Sequence, residues 1–240
     1  MNSFSYKEYT NIINKLLLDF PILNYTQAKT KDNFCILRHD VEFSVERAYN
    51  LALLEKSLGV KSTYFFQIRN NCYNIFSQKN IDLIKKIHNM GHDIGYHAHM
   101  GGLKNINNIK NYIIQDCKIM GDLLGLPIEV FSFHRPKKEY LKLNLKFSNL
   151  INAYQDEYFT FAENLNLLDV LYMADSNHKW KWGNPLKKNL KNWKKIQILT
   201  HPFSWTKEGY NNRNNYKQLL EEKDWELRKS INQEISNFEV

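Results

Sequence analysis

Histidines and carboxylates spaced two residues apart are the part of this sequence best suited to chemistry. Asp40 and Glu42 form one such pair, and His97 and His99 form another. Side chains two apart on a β-strand point to the same face, so each pair can converge on one point. Two imidazoles and a carboxylate make a three-ligand site for a divalent ion with an open water position. We therefore predict a divalent metal site, with zinc as the expected ion, held by His97, His99 and a carboxylate of the first pair.

Further along the chain lie residues suited to proton transfer. His201, in the segment Leu-Thr-His-Pro, is placed to protonate a leaving group, and Asp175 is placed to orient its imidazole and raise its basicity. Arg135 is expected to pair with Asp40 and keep it ionised. With a carboxylate beside the metal as base, the set predicts metal-assisted hydrolysis of an amide or an ester.

Aromatic residues near these positions are candidates for substrate contacts. Trp180 and Trp205 follow Asp175 and His201 and suit stacking on a sugar ring, although ordinary packing explains them nearly as well. His134 is expected either to reach the site or to bind a substrate hydroxyl. His39 alternates away from the acid pair, which favours a structural role.

Alternating strands and helices are predicted to position these side chains. Short apolar or β-branched runs predict strands at 34–37, 62–67, 93–99, 130–134, 170–173 and 196–200. Helical spacing and caps predict helices at 6–18, 44–58, 81–90, 106–124 and 216–235. This alternation favours a parallel sheet with right-handed crossovers, which binds ligands at the carboxyl ends of its strands. The candidate residues lie at or just past those ends.

Composition bounds the remaining possibilities. The 240 residues, 43% hydrophobic and 24% charged, predict one globular domain over 1–240. No apolar run reaches membrane-spanning length, the start of the chain lacks a signal-peptide pattern, and three widely spaced cysteines indicate no disulfide framework, so we expect a soluble, cytoplasmic protein. The net charge of +8 is scattered, which argues against nucleic-acid binding and favours an anionic small substrate. The oligomeric state is left open.

Five segments together resemble a known family. They occur in the order Arg-His-Asp-Val-Glu (38–42), Val-Lys-Ser-Thr-Tyr-Phe-Phe (60–66), Gly-His-Asp-Ile-Gly-Tyr-His (91–97), Phe-Ser-Phe-His-Arg-Pro (131–136) and Leu-Thr-His-Pro (199–202). This series resembles the polysaccharide deacetylase (NodB-homology) superfamily. Within it, the nearest subgroup has an Arg-His-Asp-Val-Asp first motif and includes WbmS-like proteins of bacterial surface-polysaccharide gene clusters. The resemblance covers 34–205, with an N-terminal helix and lead-in over 1–33 and a C-terminal helix over 206–240.

The resemblance implies a distorted (β/α) barrel of about seven parallel strands and a metal-dependent N-deacetylase acting on an amino sugar, which a nucleotide or lipid carrier is expected to bear. Asp40 then matches the catalytic base, Glu42 the metal-binding acid and His97 the first metal histidine. Arg135 matches the arginine that tunes the base, Asp175 the acid of the fourth motif and His201 the general acid.

Two departures from the family pattern affect the metal site. The second motif usually carries a further histidine four residues on, where this chain has Gly101, so His99 is the local substitute. Glu42 stands where the family usually has aspartate, which places its carboxylate one methylene further out.

Two other functions remain open from the sequence. An amidohydrolase-like barrel also carries His-x-His after a strand, but usually on the first strand, whereas His97 and His99 fall on the third predicted one. A catalytically silent glycan- or sugar-nucleotide-binding protein on the deacetylase scaffold is supported by the altered second motif. The retained Asp40, Arg135, Asp175 and His201 argue against it.

Overall fold

Parallel strands form one curled sheet that is the centre of the molecule. The computed structural model describes residues 3–100, 105–142, 144–161 and 165–235. Its strands are β1 Phe34–Val41, β2 Thr63–Phe66, β3 Asp93–Ala98, β4 Val130–Phe133, β5 Ile151–Asn152, β6 Val170–Ala174 and β7 Lys195–Thr200. They lie in the order β5-β4-β3-β2-β1-β7-β6, and every pairing is parallel. The predicted distorted barrel of seven parallel strands is thereby confirmed, as a half-barrel in one domain.

Helices connect the strands and cover the sheet. They are α1 Tyr6–Leu17, α2 Tyr25–Ala28, α3 Val45–Ser57, α4 Gln78–Asn89, α5 Ile106–Leu124, α6 Lys138–Lys142 and α7 Asn212–Glu234, with a 3-10 turn over Pro202–Ser204. Ser44 caps α3 by accepting a hydrogen bond from the Arg47 N–H at 3.2 Å, as its position before the apolar pattern predicts. Gly125 ends α5 in the left-handed conformation, with φ 64°. No helix of the described ranges is long and apolar enough to cross a membrane.

The first strand is longer than its apolar run. The sequence predicts that it ends at residue 37, but β1 continues through Arg38, His39 and Asp40 to Val41, and all eight of its residues are buried. Polar side chains can occupy a buried strand when each has a partner, and these three do. The strand therefore carries the polar cluster into the interior instead of ending before it.

A second buried polar cluster lies away from the predicted site and is centred on Glu55 of α3. Its Oε1 accepts a hydrogen bond from the Tyr9 hydroxyl at 2.6 Å and lies 2.9 Å from His39 Nε2. Its Oε2 accepts hydrogen bonds from the hydroxyls of Ser62 at 2.6 Å and Tyr64 at 2.7 Å. This cluster ties α1 and α3 to β1 and β2, so His39 is a structural residue that faces away from Asp40.

The same cluster includes His92, which lies between α4 and β3. His92 is 1% exposed, and its Nδ1 lies 3.1 Å from the Ser62 hydroxyl and 3.6 Å from Glu55 Oε2. Burial beside a carboxylate and a hydroxyl makes it part of the core.

We expect Glu55→Gln to lower the free energy of unfolding by about 3 kcal/mol, because the buried groups around Glu55 lose the negative charge with which they interact. Burial opposes ionisation of Glu55, but His39 and the surrounding donors outweigh it and lower its pKa from 4.5 to about 2. A lowered folded pKa contributes stability above the ordinary pKa and loses it as the pH falls toward 2. In urea unfolding, the difference in free energy of unfolding between wild type and Glu55→Gln should therefore become smaller from pH 5 to pH 2.

Asp122→Asn is the matched control for this measurement. Asp122 is 68% exposed and accepts a hydrogen bond from Lys118 on the helix surface, so its loss should change the free energy of unfolding by less than about 1 kcal/mol. A gap between wild type and Glu55→Gln that stays constant with pH would contradict the ionised state of Glu55.

Candidate active site

One cavity of about 1520 Å³ lies at the carboxyl ends of the strands. Asp40 and Glu42 reach it from the end of β1, His97 from β3 and His201 from the residue after β7. Parallel strands present their carboxyl ends at one edge, so residues far apart in the chain meet there. The structure therefore brings most of the sequence-predicted site residues to one place.

Three ligand-type side chains form a compact triplet in this cavity. Glu42 Oε1 lies 3.1 Å from His134 Nδ1 and 4.0 Å from His97 Nε2, and the two histidine nitrogens are 3.2 Å apart. A tetrahedral ion with bonds of about 2.0–2.1 Å separates its ligand atoms by about 3.3–3.4 Å. Glu42, His97 and His134 thus fit the ligand set of a divalent ion in both donor type and spacing.

Neighbouring strands orient the triplet. His97 pairs in register with Ser132 of β4, and the Ser132 hydroxyl lies 2.8 Å from His97 Nδ1, which leaves Nε2 facing Glu42. Burial lowers the pKa of His97 to about 4, so its ring is neutral at pH 7, the form that binds metal. His134 follows β4 directly, which brings its ring beside the end of β3.

The structure gives the second histidine of the triplet as His134, whereas the sequence predicts His99. β3 ends at Ala98, and the exposed ring of His99 stacks on that of His134 with centroids 5.4 Å apart. His99 therefore covers the triplet without belonging to it. Its position two residues after His97 predicts a shared face only if the strand continues, and it does not. Gly101, which stands at the second-histidine position of the family that the sequence resembles, lies outside the described residues.

Asp40 is held by Arg38 of the same strand. The Arg38 guanidinium donates from Nε to Oδ1 at 2.9 Å and from Nη2 to Oδ2 at 2.8 Å. Burial opposes ionisation of Asp40, but Arg38 outweighs it and lowers the pKa to about 2. Asp40 Oδ2 lies 3.6 Å from His97 Nε2, so the carboxylate is ionised and adjacent to the triplet.

The predicted pairing of Arg135 with Asp40 is therefore replaced by Arg38. Arg135 is exposed, lines the cavity and has φ 47°, and no ion pair of the described ranges joins it to Asp40. The signal for Arg38 is its position two residues before Asp40, because this spacing puts both side chains on one face of the strand.

His201 and Asp175 form a second charged pair in the cavity wall. His201 Nδ1 lies 2.6 Å from Asp175 Oδ1, and both carboxylate oxygens accept the His201 backbone N–H at 3.0 Å. Burial disfavours the charged imidazole, but Asp175 outweighs it and raises the pKa of His201 to about 9. The pair therefore holds a protonated imidazole at neutral pH, and His201 lines the cavity.

Trp205 supports this pair from behind and does not fit the predicted sugar contact. It is 0% exposed, and its Nε1 donates a hydrogen bond to Asp175 Oδ2 at 2.8 Å. Trp180 packs beside it, with ring centroids 6.2 Å apart. The indoles that line the cavity are instead Trp182, which is 62% exposed, and Trp193.

We expect Asp175→Asn to move the alkaline limb of the activity profile to lower pH. If His201 must be protonated to act, activity falls as the pH rises through its pKa, and removing the carboxylate lowers that pKa from about 9. Profiles of kcat/KM against pH, with an NMR titration of the His201 ring, measure both shifts. Trp205→Phe is the control, because it removes one hydrogen bond to Asp175 and keeps the charge. An unchanged alkaline limb in Asp175→Asn would exclude His201 as the acid.

Comparison with known proteins finds resemblance among solved structures. No protein-family model and no curated protein matches the chain. A family 4 carbohydrate esterase from Bacillus anthracis aligns at 16% identity over 92% of this chain and 86% of that one, with a TM-score of 0.43. A CE4 family pseudoenzyme from the same organism aligns at 12% identity over 82% and 62%, with a TM-score of 0.47. The peptidoglycan deacetylase of Bdellovibrio bacteriovorus aligns at 16% identity over 85% and 56%, with a TM-score of 0.46. The chain is thus similar, at low identity, to carbohydrate-active enzymes and to one relative of theirs that is a pseudoenzyme.

Proposed function

We propose that this chain belongs to the polysaccharide deacetylase superfamily and is a metal-dependent hydrolase that removes an N-acyl group, with N-acetyl the expected one, from an amino sugar of bacterial surface-polysaccharide biosynthesis. The observation that carries the proposal is the triplet Glu42, His97 and His134 with Asp40 beside it and His201 in the same cavity. Ligands, a base and an acid around one space are what hydrolysis of an amide requires.

A divalent ion fits the triplet, and zinc is the ion we expect, because two imidazoles and one carboxylate are a common catalytic zinc set. When bound, such an ion polarises a carbonyl and acidifies a water molecule. Side chains of the protein carry out the proton transfers in this proposal. Asp40 accepts the proton of the attacking water, since its carboxylate is ionised and borders the triplet. His201, protonated through Asp175, gives a proton to the leaving amine.

Arg38 and Ser132 are positioning residues in this scheme. Arg38 fixes both oxygens of Asp40, and the Ser132 hydroxyl fixes the His97 ring. Buried hydrogen bonds of this kind hold reacting groups in place before the substrate arrives.

A second candidate function is a silent binding protein for glycans or sugar nucleotides. The observation that favours it is the low pKa of Asp40, near 2, because a carboxylate so strongly held by a guanidinium is a weak proton acceptor. The second-motif position at Gly101 also departs from the family pattern.

Acetate release with and without metal separates the two functions. Purified protein should release acetate from an N-acetylated amino sugar, lose that activity on treatment with a chelator, and recover it when a divalent ion is restored. Far-UV circular dichroism of the chelated protein controls for unfolding. Binding of the sugar with no acetate release in the presence of metal would support the silent protein and reject the hydrolase.

A further inference from the structure

The wall of the cavity is positively charged. Besides His201, its lining includes one arginine and four lysines, namely Arg135, Lys138, Lys142, Lys181 and Lys188. Its only carboxylates, in the part of the chain that is described, are Asp40 and Glu42 at the reacting centre. The wall therefore favours a ligand that carries negative charge.

Among the residues that the structure describes, no carboxylate neutralises these cations, because no ion pair joins any of the five to one. The two carboxylates of the cavity are engaged elsewhere, Asp40 by Arg38 and Glu42 by His134. Like charges gathered without a counter-charge repel each other, and an anionic ligand relieves that repulsion.

The cations flank the reacting centre from both sides. Arg135 follows β4 near one edge of the sheet, whereas Lys181 is joined by backbone hydrogen bonds of 2.6 and 3.2 Å to Ala174 at the end of β6, the opposite edge strand. Asp40 and Glu42 enter between them from β1. A ligand that reaches the reacting centre therefore passes between two positive walls.

Aromatic and strained residues accompany the charges. Trp182 and Arg135 line the cavity with φ 59° and 47°, in the left-handed region that non-glycine residues rarely adopt. Such conformations persist where the surroundings hold them, and they cluster at ligand sites. Trp182 leaves most of its ring exposed, and the centroid of Tyr172 lies 5.3 Å away. This surface suits the stacking of a flat or apolar ligand group.

We infer that the amino sugar reaches this site as a glycosyl diphosphate, with the diphosphate bound between the two cationic walls. The sugar part of this inference rests on the proposed function, while the diphosphate part rests on the wall itself. A volume of about 1520 Å³ exceeds the roughly 300–1000 Å³ of ordinary small-ligand sites, so there is room for a sugar, a diphosphate and the start of a carrier. A nucleoside and a polyprenyl chain are the two carriers that present this group.

Calorimetric titration of the Asp40→Asn protein, which should not consume its ligand, tests the inference. The probes are UDP-N-acetylglucosamine, a short polyprenyl-diphosphate N-acetylglucosamine, and neutral N,N′-diacetylchitobiose. Lys181→Gln/Lys188→Gln should weaken binding of both diphosphates about tenfold and reduce its dependence on salt. Lys56→Gln/Lys85→Gln removes the same charge from exposed positions on α3 and α4 and should leave binding unchanged.

The outcomes separate this inference from the proposed function. Binding of both diphosphates supports recognition of the shared group, and binding of one alone supports it with that carrier. Three results would overturn it. No probe binds, the neutral disaccharide binds as tightly as the diphosphates, or the two lysine double variants lose the same amount of diphosphate affinity. Lysine-dependent diphosphate binding without acetate release by wild type would uphold this inference and reject the hydrolase.

Discussion

Replacing His134 with alanine should remove the metal from the protein, whereas replacing His99 should leave it bound. His134 Nδ1 lies 3.1 Å from Glu42 Oε1 and 3.2 Å from His97 Nε2, so in the proposed site it is one of three ligand side chains found among the described residues. Even residues that merely support a ligand change metal affinity by 10–100-fold, so loss of a direct ligand should cost at least about 100-fold. Elemental analysis after gel filtration and competition with a chromophoric chelator measure retention and affinity.

His99→Ala is a close control for His134→Ala. Both rings are imidazoles in the same stack, with centroids 5.4 Å apart, and neither takes part in the contact between the Ser132 hydroxyl and His97 Nδ1. His97→Ala serves as the positive control for metal loss. If His99→Ala loses the metal and His134→Ala keeps it, then His99 is a metal ligand and His134 is not.

The helices and most strands follow from local patterns in this chain. The spacing of apolar residues and the terminal glycine predict α5 at 106–124, and the structure has it at those bounds. β5 is two residues long, Ile151–Asn152, and α2 and α6 span a turn or so, which is too short for a periodic pattern to indicate. β1 extends past its apolar run because partners from distant segments satisfy its polar side chains, and sequence order does not reveal those partners.

The candidate site divides in the same way. Parallel sheets bind ligands at the carboxyl ends of their strands. This rule predicts that Asp40, Glu42, His97 and His201 lie close together, and all four line one cavity. Which side chains then contact each other depends on where each strand ends and how each loop turns. For this reason the ring beside His97 Nε2 is that of His134, and the guanidinium paired with Asp40 is that of Arg38. The alternation of side chains along β1 is enough to predict that Arg38 and Asp40 share a face. No sequence pattern predicts the burial of Trp205 behind Asp175.

Asp40→Asn should abolish turnover while leaving the metal in place. The substitution keeps the shape of the side chain but removes the proton acceptor, and loss of a general base slows a reaction by about 10²–10⁴-fold. Asp40 is outside the triplet, so metal content should match that of wild type. Arg38 is 0% exposed and loses its carboxylate, so the free energy of unfolding should also fall, by about 3 kcal/mol. Single-turnover acetate release, elemental analysis and urea unfolding measure the three effects.

Because stability and activity fall together in Asp40→Asn, a variant that lowers stability alone has to separate them. Asp116 is 1% exposed, pairs with Arg69 and accepts a hydrogen bond from Tyr96, but it does not line the cavity. Asp116→Asn should therefore unfold at lower urea and still release acetate at the wild-type rate in buffer. If Asp40→Asn retains turnover within tenfold of wild type, Asp40 is not the base. If Asp116→Asn loses turnover as fully as Asp40→Asn, the loss in both comes from the fold. The assignment of Asp40 as the base therefore requires two results. Turnover must be lost only in Asp40→Asn, and the free energy of unfolding must fall in both Asp40→Asn and Asp116→Asn.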